Sequence, residues 1–168
     1  MRTHSRLLGT LAAVAVLAAP SPTRGADLDH QTTLTFAAPI EVPGATLQPG
    51  AYVFEAAAEP GGRQPIKIYN SDRSKLIATV DAVSMKREGP ADVAQYRPTI
   101  LGSAPTALKG WFRPNATTGY QLVYSAREAA AIANRTDERV IATDMEGGNP
   151  AQLVVIDAVG NRAPYGSA

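Results

Sequence analysis

The chain has 168 residues and a mass of 17.6 kDa, with no cysteine, 16 basic and 15 acidic residues, and 45% hydrophobic residues. A chain of this length is one domain, or one domain with a tail, and its apolar content excludes wholesale disorder. The absence of cysteine excludes a disulfide scaffold, a thiolate nucleophile, a cysteine zinc site and an iron–sulfur cluster, and the near-zero net charge gives no broad basic field for nucleic acid.

The N-terminus reads as an address. Arg2, His4 and Arg6 form a positive region ahead of an apolar run over residues 7–19, which Pro20 and Pro22 end. This is the pattern of a secretory signal peptide, here residues 1–26, and the run is too short for a permanent membrane helix of roughly 20 residues. Small residues allow cleavage after Gly25 or Ala26. Arg2 and Arg6 are not adjacent, which disfavours the twin-arginine route, and lipid attachment needs a cysteine that is missing. Removing Arg2, Arg6 and Arg24 from the 16 basic residues leaves 13 against 15 acidic, a net charge of −2 for the processed chain. The expectation is a soluble product in the periplasm or outside the cell, with no transmembrane segment in the mature chain. About 140 residues can bury roughly two thirds of their unfolded surface, so no disulfide staple is needed.

Short β-like runs separated by Pro and Gly dominate the rest of the chain. Residues 32–36 alternate β-branched and apolar side chains, and Ile40-Glu41-Val42 leads into the turn pair Pro43-Gly44. Leu47 precedes a second such pair, Pro49-Gly50, and in residues 51–55 Tyr52 and Phe54 share one face, the face expected to be buried. Strands are expected at 65–69 and 75–83, around a polar turn at 70–74, then at 99–101, 108–112 and 120–124. Residues 85–98 read as a long loop.

One helix stands out. Ser125-Ala126-Arg127-Glu128 is a capping box, residues 129–133 are good helix formers, and Asn134 is placed to end the helix in a left-handed conformation. About ten residues are marginal alone, so Ile132 and the alanines must pack on a sheet. Beyond it, residues 139–145 and 152–159 are further strand candidates around the loop Gly147-Gly148-Asn149-Pro150, and residues 160–168 should fray. The expected fold is mainly β, an antiparallel β-sandwich or small barrel with one short α-helix near the C-terminal third. It divides into a β domain over 27–135, with the helix at about 125–134, and a C-terminal extension over 136–168 with one or two strands.

Two stretches carry a family resemblance. One runs from Pro43-Gly44 through Pro49-Gly50 to Tyr52-Val53-Phe54; the other is Leu108-Lys109-Gly110-Trp111-Phe112-Arg113-Pro114 followed by Gly119-Tyr120 and Tyr124. In that order, after a signal peptide, they make residues 32–133 resemble a family of small exported bacterial proteins with no established activity. The resemblance implies export, and it implies no catalytic residue.

Few residues are equipped for chemistry. His4 leaves with the signal, so His30, beside Asp27 and Asp29, is the one histidine of the processed chain. An Asp-x-Asp-His segment has the ligand types for a metal, but an N-terminal arm without a further ligand nearby does not specify a site. No Gly-x-Ser-x-Gly elbow or phosphate-binding glycine motif is present, and no cofactor is implied. Paired carboxylates suffice for glycoside hydrolysis, yet Glu55, Asp72, Asp81 and Asp144 are scattered. Asn115-Ala116-Thr117 and Asn134-Arg135-Thr136 match the N-glycosylation pattern, which carries no meaning in a bacterial protein of the resembled kind.

The aromatic cluster is the most informative feature. Trp111, Phe112, Tyr120 and Tyr124 fall on two adjacent strand candidates, with Arg113 beside them, and Trp111 and Phe112 must face opposite sides of a strand. Exposed, they would form a surface for stacking on a sugar or anchoring a protein partner. Covered by the helix after Ser125, they would be core, which is the expectation for Trp111. The functional expectation is a non-enzymatic exported protein that binds an envelope, carbohydrate or protein partner, and not nucleic acid. The alternatives are a carboxylate-based hydrolase and a subunit assembling by β-strand pairing.

Overall fold

Alternating apolar and polar residues build the protein. The computed structural model describes residues 30–87, 93–96, 104–144 and 152–166. The signal segment, Asp27, Asp29, the strand expected at 99–101 and the loop at 147–150 lie outside these residues. In chain order the strands are β1 (Gln31–Phe36), β2 (Ile40–Val42), β3 (Ala45–Leu47), β4 (Gly50–Ala56), β5 (Gln64–Asn70), β6 (Leu76–Lys86), β7 (Val93–Tyr96), β8 (Thr106–Trp111) and β9 (Thr118–Ser125). They are followed by helix α1 (Ala126–Thr136) and strands β10 (Val140–Thr143), β11 (Leu153–Ile156) and β12 (Arg162–Pro164).

Hydrogen bonding joins them in the order β1-β4-β5-β6-β9-β10-β11-β12. On one edge β9 pairs β6; on the other it meets β8 at Tyr120 and Gln121, then β10 at Tyr124 and Ser125. The sheet therefore branches at β9, and β8 carries β7 and the β2–β3 hairpin with it. β4 and β8 are four strand steps apart, which in a flat sheet would separate them by about 19 Å. Yet the rings of Phe54 on β4 and Trp111 on β8 lie 5.0 Å apart. The sheet has folded over its own core without closing into a barrel.

Among the described residues the architecture is mainly β with one short helix, as the punctuation of the sequence implies, but the sheet is mixed. β2 pairs β8 in parallel, and β9 and β10 form a parallel pair connected through α1. A parallel neighbour requires a crossover, and α1 supplies it. Among the described residues the 136–168 segment carries three strands, and β10 continues the sheet directly from β9.

The helix begins where the capping box puts it. Ser125 accepts from the Glu128 backbone N–H, and the Glu128 carboxylate accepts from the Ser125 N–H at 3.1 Å. Its end falls later than Asn134: Asp137 takes the left-handed turn at φ 57°, and Asn134 remains helical with its amide donating to the Ala158 carbonyl. Buried Ala129, Ile132 and Ala133 give α1 its inner face, so tertiary packing extends it past the local stop signal.

Two segments are more ordered than expected. β7 lies within the 85–98 stretch that reads as a loop, because Tyr96 buries its ring while its strand pairs β8. β12 lies in the tail that was expected to fray, and pairs β11. There the Asp157 carboxylate accepts from the backbone N–H groups of Val159 and Asn161 and from the Asn161 amide, turning the chain back. Those hydrogen bonds to the charged form hold the Asp157 carboxyl below its usual range.

Core residues recur at alternate positions: Leu34, Phe54, Ile66, Ile68, Val80, Leu122, Val140 and Val154 all belong to one buried cluster. On the opposite face Val83, Val123 and Ile141 form a second, smaller one. Two-sided burial explains why the neighbours Ala82 and Val83 are both apolar and buried, where a strand covered on one face would alternate.

Candidate functional site

The aromatic cluster is interior. Trp111 is 1% exposed, Phe112 3%, Tyr120 1% and Tyr124 1%. Trp111 stacks on Tyr120 at 4.8 Å and meets the edge of Phe54. The cover differs from the one expected, because the sheet folding back through Phe54 encloses Trp111. Phe112, just past the end of β8, lies against Gly119 under the Arg87 guanidinium, 4.9 Å from its ring centre. Arg113 pairs with Glu59. These residues do not form an exposed stacking platform; they are what the domain folds around.

Two glycines make the arrangement possible. A Cβ at Gly110 would drive into the Tyr120 carbonyl oxygen, and one at Gly119 would sit 2.6 Å from the Phe112 ring while striking the Trp111 carbonyl. The close approach of β8 and β9 therefore requires a hydrogen at both positions. The tyrosine hydroxyls are satisfied on backbone: Tyr120 donates to the Ala58 carbonyl at 2.9 Å and Tyr124 to the Leu108 carbonyl at 2.6 Å. Burial raises the pKa of both phenols, and pushes that of Tyr96 up to about 12.

The scattered carboxylates do not converge. Glu55 pairs with Arg73, Asp81 accepts from Arg63 Nε at 2.8 Å, and Asp144 lies 3.5 Å from Arg162. Asp72 accepts from the Ser74 hydroxyl and backbone N–H inside the β5–β6 turn, and these bonds lower its pKa. His30 is beside Glu59, with Nδ1 3.9 Å from the carboxylate. The sequons are on the surface, Asn115 in a left-handed turn and Asn134 on α1.

What the fold does create is a cleft between the β2–β3 hairpin and α1, with a volume of about 470 Å³. Val42, Gly44, Ala45 and Thr46 line one wall; Glu128, Ala131, Ile132 and Arg135 line the other, at the spacing of one helix face. Tyr124 and Glu41 complete the lining. The Pro43-Gly44 turn holds the hairpin tip, with Gly44 at φ +75°.

Two polar links brace the cleft. Glu128 uses one carboxylate oxygen for the Ser125 backbone and hydroxyl, and the other accepts from the Gly44 N–H at 2.8 Å. The helix cap thus also ties down the hairpin 84 residues earlier. At the opposite end Arg135 pairs with Glu41, both partners more than two thirds buried, and reaches the Pro105 carbonyl at 3.4 Å. The result is a rigid frame around apolar and backbone surface, of a volume that small ligands and short peptide segments occupy.

No family model matches this chain, and neither the curated proteins nor the solved structures include a significant match.

Sequence reasoning found Glu128 as a cap and missed its second oxygen. It read Glu41 as the polar residue of a short strand and Arg135 as part of a sequon. The available signal was the face Glu128, Ala131, Ile132, Arg135 at positions i, i+3, i+4 and i+7. Its mixed polarity marks a helix face looking onto a partly wet groove rather than a dry core.

Proposed function

We propose that this chain is an exported, non-enzymatic protein that binds a carbohydrate or protein partner of the cell envelope through the cleft between the β2–β3 hairpin and α1. The observation that carries the reading is the bracing of that cleft. Both Glu128 oxygens are engaged by backbone and hydroxyl donors, and Glu41 is paired with Arg135. A general acid or base needs a lone pair or proton directed at substrate, and these carboxylates direct theirs at the protein. A pre-formed frame of this kind loses little conformational entropy when a ligand enters. Export rests on the positive N-terminal region and the apolar run at 7–19.

Ala131 is exposed at the cleft wall, so Ala131→Arg fills the groove while leaving the core intact. Wild type and Ala131→Arg, screened in parallel on a glycan array and a peptide library, should share a melting temperature and differ in binding. Ligands selected by the wild type and lost by the variant support the cleft; ligands retained by both place the site elsewhere. Turnover of ester, peptide or phosphate substrates that disappears in Glu41→Gln would replace binding with hydrolysis. For export, N-terminal sequencing of envelope-derived protein should begin near Asp27, and an intact Met1 would contradict it.

A further inference from the structure

Four strands end the sheet, and they are not alike. Among the described residues β1 pairs only with β4, β3 only with β2, β7 only with β8 and β12 only with β11. β3 and β12 have three residues each, and β12 carries Arg162 and Pro164. Such short, charged or proline-bearing edges resist adding another strand. β1 has six residues, Gln-Thr-Thr-Leu-Thr-Phe, with no charge, no proline and no glycine. β7, Val-Ala-Gln-Tyr, also lacks charge and proline but has four residues, so β1 is the longest of these edges and carries no blunting device.

The ladder shows which groups β1 presents. Ala56 donates its N–H to the His30 carbonyl at 2.9 Å, and the register runs on from Gln31 opposite Glu55 to Phe36 opposite Gly50. In an antiparallel pair the bonded positions alternate, so Thr32, Leu34 and Phe36 bond inward to β4. Gln31, Thr33 and Thr35 then direct their N–H and C=O groups to the outer edge. Thr33 and Thr35 are also exposed, while Leu34 and Phe36 are buried on the core face.

We infer that β1 is a homodimerisation edge, pairing antiparallel with β1 of a second copy about a two-fold axis at Thr33. That register sets Gln31 against Thr35 and Thr33 against its own symmetry mate, using every outward-facing bonding group of the strand. Thr32 then stands beside Leu34 on the core side. A two-fold pairing places each strand against itself, so any charge near the axis would meet its like; β1 has none, whereas at β12 Arg162 would sit on such an edge. Threonine against threonine is a favourable cross-strand pair. The neutrality and self-complementarity of β1 are what select a second copy over a different partner. The dimer would join two sheets into one continuous sheet, and it is independent of the cleft.

Proline and cysteine variants test it, with sedimentation of the purified protein over a wide concentration range as the readout. Thr33→Pro removes an outward N–H and no bond to β4, so the fold should persist while the monomer–dimer midpoint rises about ten-fold or more. Thr33→Cys introduces the one cysteine of the chain, at the axis, and mild oxidation should give a covalent dimer. Thr46→Cys, exposed on β3, should not. A wild type that is monomeric throughout, with the Thr33→Cys variant cross-linking no faster than Thr46→Cys, overturns the inference. A dimer unaffected by Thr33→Pro and not trapped in the Thr33→Cys variant overturns it equally, because another surface then makes the contact.

Discussion

Two regions of this protein use side chains of similar size to opposite ends. Around Trp111, Phe54 and Tyr120, three rings meet at 4.8 to 5.0 Å, two glycines let the strands close, and the polar atoms of the tyrosine end on backbone. Around the cleft, Glu41, Glu128 and Arg135 hold a hairpin and a helix apart at fixed distance, and the space between them remains open. The first region is held by dispersion and water exclusion, the second by a few directional bonds. The difference is why the proposed binding site is the cleft and not the aromatic cluster. Packing of the first kind leaves nothing for a partner to touch, whereas the second offers a shaped surface whose own polar groups are already in place.

That contrast makes graded predictions. Trp111→Ala removes the centre of the aromatic region and should cost about 3–5 kcal/mol, a large share of a domain stability on the order of 5–15. Chemical denaturation of wild type and variant measures it, and a loss below about 1 kcal/mol would remove Trp111 from the core.

Alkaline pH attacks the buried phenols. A tyrosine whose pKa rises from 10 in the unfolded chain to about 12 in the folded one, as for Tyr96, holds its proton more tightly when folded. Its stabilisation is complete below pH 10 and is lost as pH rises from 10 to 12, by about 2–3 kcal/mol. Tyr124 is shifted in the same direction by burial and adds to the loss. Denaturation midpoints should fall steeply above pH 10, and Tyr96→Phe should flatten that fall.

Smaller effects separate the regions further. Gly110→Ala forces β8 and β9 apart and should cost about 1–3 kcal/mol, although the group added is one methyl. Ser125→Ala, which removes the cap that positions Glu128, should cost about 1 kcal/mol. Amide exchange in Ser125→Ala should quicken at Gly44 and in the first turn of α1, with the aromatic region unchanged. Equal quickening around Trp111 would mean that the two regions are not separable.

Legibility in the sequence tracks the range of the forces. The capping box at Ser125 and Glu128 and the turn at Pro43-Gly44 are local, and both stand as the sequence implies. The alternation in residues 51–55 marked Phe54 for the interior, and the aromatic pair around Trp111 marked a strand contact. Long-range pairings were not legible. Nothing local says that β2 runs parallel to β8, that Phe54 reaches Trp111 across a folded sheet, or that Glu128 bonds Gly44. The strand at Val93–Tyr96 was hidden by its polar and proline-bearing flanks, since only tertiary pairing with β8 reveals its period. The cleft was hidden for the same reason, because its two walls come from segments as far apart as Gly44 and Glu128, 84 residues.

The central claim is that the aromatic cluster is interior, which leaves the cleft between the β2–β3 hairpin and α1 as the proposed binding surface. Trp111 is the one tryptophan in the chain, so tryptophan emission, excited selectively over the tyrosines, reports on that cluster alone. The account predicts a blue-shifted emission in the native protein that iodide does not quench, moving to the maximum of indole in water only as the chain unfolds. A water-like maximum with full iodide quenching under native conditions would contradict it and return Trp111 to the surface.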